Sequence, residues 1–193
     1  MHAVGIDIGG TKIAAGVVDE EGNLLAFTRR DTNPEEPREI EDAVTDAVAE
    51  LRGSYEVSGV GVAAAGFVDP TRSKVVFAPN IAWRDYPLKT VLQERLGLDV
   101  VVENDANAAG WAEFRFGAGR SVRDMVMLTV GTGLGGAVVV NGRLLRGAAG
   151  AGGEVGHLRV VPNGRACGCG HDGCWEMYSS GSALVRETRA ALA

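Results

Sequence analysis

Residues 7–18 read DIGGTKIAAGVV, and residues 129–140 read TVGTGLGGAVVV. Set against each other at a constant offset of 122 positions (7 against 129), each is an apolar strand, a turn of glycine and threonine, and a second apolar strand. Hairpins rich in glycine and valine resemble one another by chance, but this repeat also preserves the order of elements around it. The chain is therefore expected to contain a duplicated unit whose two Gly-rich turns face one another across a cleft.

Outward from the first copy, residues 3–8 (AVGIDI) form a strand, GGTK a turn and residues 13–18 a second strand. DEEGN at 19–23 makes the next turn and residues 24–30 a third strand, giving an antiparallel meander. From 37 to 51 the apolar positions Ile40, Ala43, Val44, Ala47, Val48 and Leu51 fall at helical spacing, with Pro37 suited to a first turn and Gly53 to the stop. Residues 57–64 read as a short buried strand opening into the loop AAAGFVDP. A helix over 87–96 ended by Gly97, a strand over 100–103 and a helix over 106–116 complete the order β-β-β-α-β-α-β-α. In the second copy, Asn141-Gly142 is a hairpin signal before a strand at 143–146, and residues 180–193 begin a helix.

The 193 residues are 46% hydrophobic and 23% charged, enough for one large domain or two small ones with a real core. A net charge of −6 and a pI near 5.1 argue against a nucleic-acid or acidic-membrane partner. The start MHAVGIDIGG lacks a basic segment, and its apolar runs are broken by Asp7 and paired glycines, so a cytoplasmic location is expected with neither export nor a membrane span. The 28 glycines gather at 9–10, 131–136, 147–156 and 168–173, which implies close backbone approach to ligands.

The turn Asp7-Ile8-Gly9-Gly10-Thr11-Lys12 has what a phosphate site between strands needs. Glycines admit backbone N–H groups to phosphate oxygens, Thr11 offers a hydroxyl, Lys12 carries charge, and Asp7 at the strand end suits a Mg²⁺ held through water. The second turn, Gly131-Thr132-Gly133-Leu134-Gly135-Gly136, offers an opposed grip on the same polyphosphate. Neither turn fits a Walker A loop or a dinucleotide fingerprint, whose glycines open a helix rather than a hairpin. Glu103-Asn104-Asp105-Ala106-Asn107 sits at a strand-to-helix junction, where Asp105 serves either as an N-cap or as a general base in phosphoryl transfer. Beside the phosphate turns the base reading is favoured. Asn80 and Trp83 are candidates to line a pocket, with plain core as the alternative for Trp83.

Residues 153–176, GEVGHLRVVPNGRACGCGHDGCWE, hold all three cysteines in a C-x-C-x4-C spacing at Cys167, Cys169 and Cys174. An odd number of thiols in a Gly-rich polar loop suits a tetrahedral Zn²⁺ better than core filling or a disulfide framework. The fourth ligand is His157 or His171, and spacing alone does not choose. A structural ion here would fix Glu154, His157 and Glu176, which read as a polar pocket.

Taken together, DIGGTK, AAAGFVD, ENDANAA, GTGLGG and GGEVGH…CGCGHDGCWE resemble the ROK family of sugar kinases and repressors, most closely its bacterial ATP-dependent glucokinases, over nearly the whole chain. The resemblance implies an α/β, actin-like ATPase (ribonuclease-H-like) duplicated fold with two lobes around a cleft, here 1–120 and 121–193, the second lobe incomplete. It implies transfer of the γ-phosphoryl of ATP with Mg²⁺ to the 6-hydroxyl of glucose. Asp7, Gly9, Gly10, Thr11 and Lys12 match the first phosphate motif, and Thr132 and Gly133 the second. Asp105 matches the catalytic base. Gly66, Asn104, Glu154, His157 and Glu176 match the hexose contacts, to which Asn80 is added. His157, Cys167, Cys169 and Cys174 match the ligands of a structural Zn²⁺. Alternatives within the class are mannose, fructose or an N-acetylhexosamine as acceptor, and polyphosphate as donor. From another class come a sugar sensor without turnover and the family's repressors, which carry a helix-turn-helix ahead of the sugar domain, where this chain begins its first strand at Ala3. A homo-oligomer, dimer or tetramer, is expected. The counterpart of residues 55–117 does not recur in the second half. Because that part carries the family's adenosine-binding segment, the expectation is a segment of a longer enzyme that phosphorylates glucose poorly by itself.

Overall fold

The computed structural model describes residues 1–192, and the chain forms two compact units. The first contains residues 1–108 and 148–150, and the second runs from 109 to 147 and onward from 151.

In the first unit, β1 (His2–Ile8), β2 (Lys12–Val18) and β3 (Leu24–Asp31) form the expected antiparallel meander. α1 (Pro37–Arg52) leads to β4 (Val57–Ala64), which pairs parallel with β1. The sheet order is β3-β2-β1-β4-β8, where β8 (Asp99–Asn104) pairs parallel with β4 after the strands β5 (Phe67–Val68), β6 (Val75–Phe77) and β7 (Arg84–Tyr86) and the helix α2 (Leu88–Leu96). Because side chains alternate across a strand, the register aligns one face into rows. Val17, Val4, Val60 and Val100 form the first, Ala15, Ile6, Val62 and Val102 the second, and Ile13, Ile8, Ala64 and Asn104 the third. All twelve are buried. α1 packs on β1, β2 and β3 and adds Ile40, Val44, Ala47, Val48 and Leu51 to the same core. Removing one such large aliphatic side chain, as in Ile6→Ala, costs about 2–5 kcal/mol.

AAAGFVDP at 63–70 is expected as loop and the sequence assigns no element over 71–86, but β5, β6 and β7 form a small antiparallel sheet across this stretch. Strands of two or three residues carry too little periodicity to register in a sequence window. Trp83 is fully buried, stacked on Tyr86 with ring centroids 5.7 Å apart, so the core alternative for Trp83 holds.

α3 (Asp105–Phe116) begins in the first unit and ends in the second. Its Trp111 and Phe114 pack, with Met125, on buried Ala137, Val139 and Leu144. The division therefore falls at 108/109 rather than at the expected 120/121, because the apolar side of the latter half of α3 belongs to the second core. That unit has a three-stranded sheet, order β11-β10-β9, from β9 (Met125–Val130), β10 (Leu134–Val140) and β11 (Arg143–Leu144). The repeat is real but not of constant offset. Ile8 pairs with Ile13 in the first hairpin and Val130 with Leu134 in the second, so the offset is 122 at the first strand (130 − 8) and 121 at the second (134 − 13). The second turn is one residue shorter.

Val126, Leu128 and Val130 on β9 correspond to Val4, Ile6 and Ile8, but are 66%, 43% and 66% exposed where the latter are buried. A 3₁₀ turn (Val155–His157), α4 (Glu176–Ser179) and α5 (Gly181–Ala191) follow. Among the described residues no helix is long and apolar enough to cross a membrane.

Candidate functional site

The parallel pairing of β1, β4 and β8 brings three strand ends level: Asp7 pairs with Ala63 and Ala63 with Glu103, while Ile8 pairs with Ala64 and Ala64 with Asn104. The turns leaving these ends carry the Gly9-Gly10-Thr11-Lys12 stretch, Gly66 and Asp105. Carboxyl ends of parallel strands are where open α/β sheets bind ligands. The first turn is closed by the Gly9 amide donating to the Lys12 carbonyl at 2.9 Å, and Gly10 lies against the Asn80 backbone. Asn80 lines a groove of about 600 Å³ with Glu35, Pro79, Ile81, Ala82 and Arg84.

Asn104 organises the junction. Its Nδ2 donates to the Gly66 carbonyl and to Asp105 Oδ1, both at 3.1 Å, and its Oδ1 accepts from the Asn107 amide at 2.9 Å. The cap of α3 is thus Asn104, one residue before the acid that the sequence offered for that role. Asp105 Oδ1 also accepts from the Ala106 amide at 2.9 Å. Although Asp105 opens to solvent at its surface, desolvation by the surrounding protein raises its pKa above the ordinary carboxylate value against these hydrogen bonds. Asp7 is raised too, first by desolvation and then by the charge of Asp105. Two carboxyls that resist ionising together mark a place suited to proton transfer and to a divalent cation.

In the second unit, the Gly131 amide donates to the Gly133 carbonyl at 3.0 Å, closing the turn that carries Thr132. The Leu134 amide donates to Glu176 Oε2 at 3.4 Å, which ties this turn to the cysteine loop. Glu176 Oε1 accepts from Cys167 Sγ at 3.2 Å and lies 3.8 Å from His157 Nδ1, while His157 Nε2 lies 4.0 Å from Glu154 Oε2. Glu154, His157 and Glu176 therefore form one cluster.

The ligand atoms of His157, Cys167, Cys169 and Cys174 all lie within 4.8 Å of one another. His171, the other candidate, has its Nδ1 3.6 Å from Cys169 Sγ and stands outside the group. Cys169 Sγ is 3.6 Å from Cys174 Sγ, and Cys167 Sγ is 3.6 Å from His157 Nδ1. The edge of a tetrahedron with zinc–sulfur bonds of about 2.3 Å is roughly 3.8 Å, so the donor set fits zinc. Burial pushes the Cys167 thiol up to about 12 and raises Cys174, whereas hydrogen bonds from His171 and the other thiols lower Cys169 against the same burial. Thiols so placed ionise together only around a cation. Gly173 makes the knuckle possible: its φ is 75°, and a Cβ there would meet the Val161 carbonyl oxygen at 1.7 Å.

The site residues thus form two groups, Asp7, Gly9, Gly10, Thr11, Lys12, Gly66, Asn80, Asn104 and Asp105 in the first unit, and Thr132, Gly133, Glu154, His157, Glu176 and the cysteines in the second. The sequence reading missed that α5 is fastened to the second turn, although Ser180-Gly181 before a helical stripe is a visible cap signal.

Residues 3–193 match the ROK family. The chain belongs to that family. A Streptomyces coelicolor glucokinase is 55% identical over 183 residues, covering 95% of this ROK chain and 57% of the relative. A Bacillus subtilis xylose repressor is 35% identical over 190 residues, covering 96% of the chain and 49% of the relative. The crystal structure of a ROK family glucokinase from Streptomyces griseus, in complex with glucose and AMPPNP, superposes with a TM-score of 0.91 at 53% identity, over 100% of this chain and 62% of that one. The ROK chain therefore spans about three-fifths of the length of the glucokinases it matches. Its fold is the actin-like ATPase fold of the family, with a second sheet of three strands against five in the first.

Proposed function

We propose that this ROK chain supplies the phosphate-gripping and hexose-binding parts of an ATP-dependent glucokinase, which transfers the γ-phosphoryl group of ATP to the 6-hydroxyl of glucose. The observation that carries the reading is the Gly66–Asn104–Asp105 constellation, a carboxylate of raised proton affinity oriented by a buried amide at the ends of three parallel strands. Asp105 accepts the proton of the 6-hydroxyl as that oxygen attacks phosphorus; the bond from phosphorus to the bridging oxygen breaks and ADP leaves. A positioned base of this kind contributes about 10²–10⁴ in rate.

The amides and hydroxyls of the turns at Gly9–Lys12 and Thr132–Gly133 hold phosphate oxygens, and Lys12 adds charge. Asp7 holds Mg²⁺, which when bound neutralises charge on the transferred phosphoryl group. Gly66, Asn80, Asn104, Glu154, His157 and Glu176 contact the sugar. His157, Cys167, Cys169 and Cys174 hold a structural Zn²⁺, which fixes the loop bearing Glu154 and Glu176. Glucose is favoured over an N-acetylhexosamine by identity, 55% to the Streptomyces coelicolor glucokinase against 37% to an Escherichia coli N-acetylmannosamine kinase. The reading places the protein in the cytoplasm, where thiols stay reduced, as a dimer or tetramer, with no nucleic-acid partner.

The test is a chimera in which this chain is continued by the part of the Streptomyces coelicolor glucokinase that its match does not cover. The chimera is expected to phosphorylate glucose with ATP faster than mannose, fructose or N-acetylglucosamine, and faster than with polyphosphate. A folded, zinc-loaded chimera that binds glucose without turnover would instead favour the sensor reading.

A further inference from the structure

Residues 78–83, APNIAW, leave the end of β6 and return to β7. Ala78, Ile81 and Trp83 are buried and anchor the segment, while Pro79 and Asn80 stand exposed between the first two. Proline at the second position of Ala78-Pro79-Asn80-Ile81 suits a four-residue turn, which a bond from the Ile81 amide to the Ala78 carbonyl would ordinarily close. Among the described residues no such backbone bond is made. Arg84 closes the turn instead. Its Nη1 donates to the Ala78 carbonyl at 2.9 Å, to the Ile81 carbonyl at 3.2 Å and to the Trp83 carbonyl at 2.6 Å. One nitrogen therefore gathers the carbonyls on both sides of Pro79-Asn80. The guanidinium is itself steadied by lying over the ring of Phe77, its strand partner, 4.2 Å from the centroid.

The turn so held backs onto two others. The Asn80 carbonyl oxygen and Cβ lie 3.3 and 3.4 Å from where a Cβ on Gly10 would stand. A Cβ on Gly66 would meet the Phe77 carbonyl oxygen at 2.7 Å and the Ala78 Cα at 3.1 Å. The Gly66 carbonyl is in turn the acceptor of Asn104 Nδ2. Residues 78–81 thus pack against the turns leaving β1 and β4, and Asn80 is an exposed corner of that packing.

We propose that Arg84 is a positioning residue, which sets the place of Asn80 for a hexose without touching the sugar itself. The inference rests on the reading of Asn80 as a hexose contact. An asparagine on an unclosed turn must be ordered when the sugar arrives, and that ordering is subtracted from affinity. The Arg84 clamp orders it beforehand.

Titration of the zinc-loaded 193-residue chain with glucose tests it, since every hexose contact of that reading lies within this chain. Arg84→Ala is expected to weaken glucose about tenfold, on the scale of one charge-assisted hydrogen bond. Arg84→Lys should recover most of the loss, because an ammonium also supplies several protons from a single nitrogen. Lys74→Ala, which breaks the ion pair to Asp85 beside the same small sheet, should change affinity less than about twofold. In an Asn80→Ala background, Arg84→Ala should cost little more, because a positioning role acts through that side chain. Thermal melting of each variant checks that the fold is kept. Additive losses in the double variant, no recovery in Arg84→Lys, or unchanged affinity in Arg84→Ala overturns the positioning role while leaving glucose binding standing. A parent chain that does not bind glucose overturns the hexose reading of Asn80 and this inference with it.

Discussion

Asn104 Nδ2 donates to Asp105 Oδ1 at 3.1 Å while Asn104 Oδ1 caps α3, so one buried side chain both starts the helix and aims the carboxylate that follows it. Asn104→Asp keeps the capping acceptor but loses both donations, to Gly66 and to Asp105. It should leave helicity near normal and cut phosphoryl transfer by the chimera, as measured by circular dichroism beside a coupled assay. Asn104→Ala removes the cap as well and should cost about 1–2 kcal/mol in denaturant unfolding.

Asp105→Asn should lower kcat by two or more decades with little change in glucose affinity. It should also raise Tm at neutral pH. A carboxyl with a raised folded-state pKa binds more protons folded than unfolded, so ionising it costs stability as pH rises from the unfolded value through the folded one. The gap in Tm between variant and parent should therefore widen with rising pH across that window. In the parent, kcat should fall as pH drops through the raised value. Near-normal turnover in the variant would leave Asp105 no role beyond its hydrogen bonds.

Asp69 titrates in the opposite sense. It is buried, and burial alone would raise it, but hydrogen bonds from Thr71, Lys74 and Ser73 hold it well below the usual carboxylate range. The amides of Ser73 at 2.7 Å and Lys74 at 2.8 Å tie the turn between β5 and β6 to this one carboxylate. Its stabilisation is present above the unfolded value of about 4 and is lost as pH falls below it. Asp69→Asn should cost about 1–3 kcal/mol at pH 7, with the difference shrinking in acid. Urea unfolding at several pH values reads this directly.

Cys169→Ser should abolish stoichiometric zinc, measured by metal analysis, and should weaken glucose binding more than ATP binding because the loop it closes carries Glu154 and Glu176. His171→Ala should keep the metal. Loss of zinc in the His171 variant together with retention in His157→Ala would reverse the ligand assignment.

Val126, Leu128 and Val130 expose one apolar face of β9, an edge strand. Such an edge favours association between copies. Val126→Lys should raise the monomer fraction seen by light scattering, with little change in Tm because the position is 66% exposed.

The repeat of strand, Gly/Thr turn and strand was legible because it is local, and so were the meander, the three helices of the first half and the cysteine loop. Periodicity and spacing are written along the chain and need no partner to be read. The pairing register between distant strands is not. One residue missing from the second turn shifts Leu134 against Val130, and only the hydrogen-bonded ladder reveals it. Whether Asn104 or Asp105 caps α3 depended on which side chain points back along the first turn of the helix, because both have capping oxygens. His157 and His171 are equally good ligands by chemistry. The left-handed Gly173 and the packing of Val161 against it turn the loop so that His157, ten residues upstream of Cys167, closes on the thiols while His171 reaches the side of Cys169. Sequence determined which groups are present, and tertiary structure decided which of them meet, because a bond between residues far apart in the chain exists only when the backbone between them has been folded to the right turn.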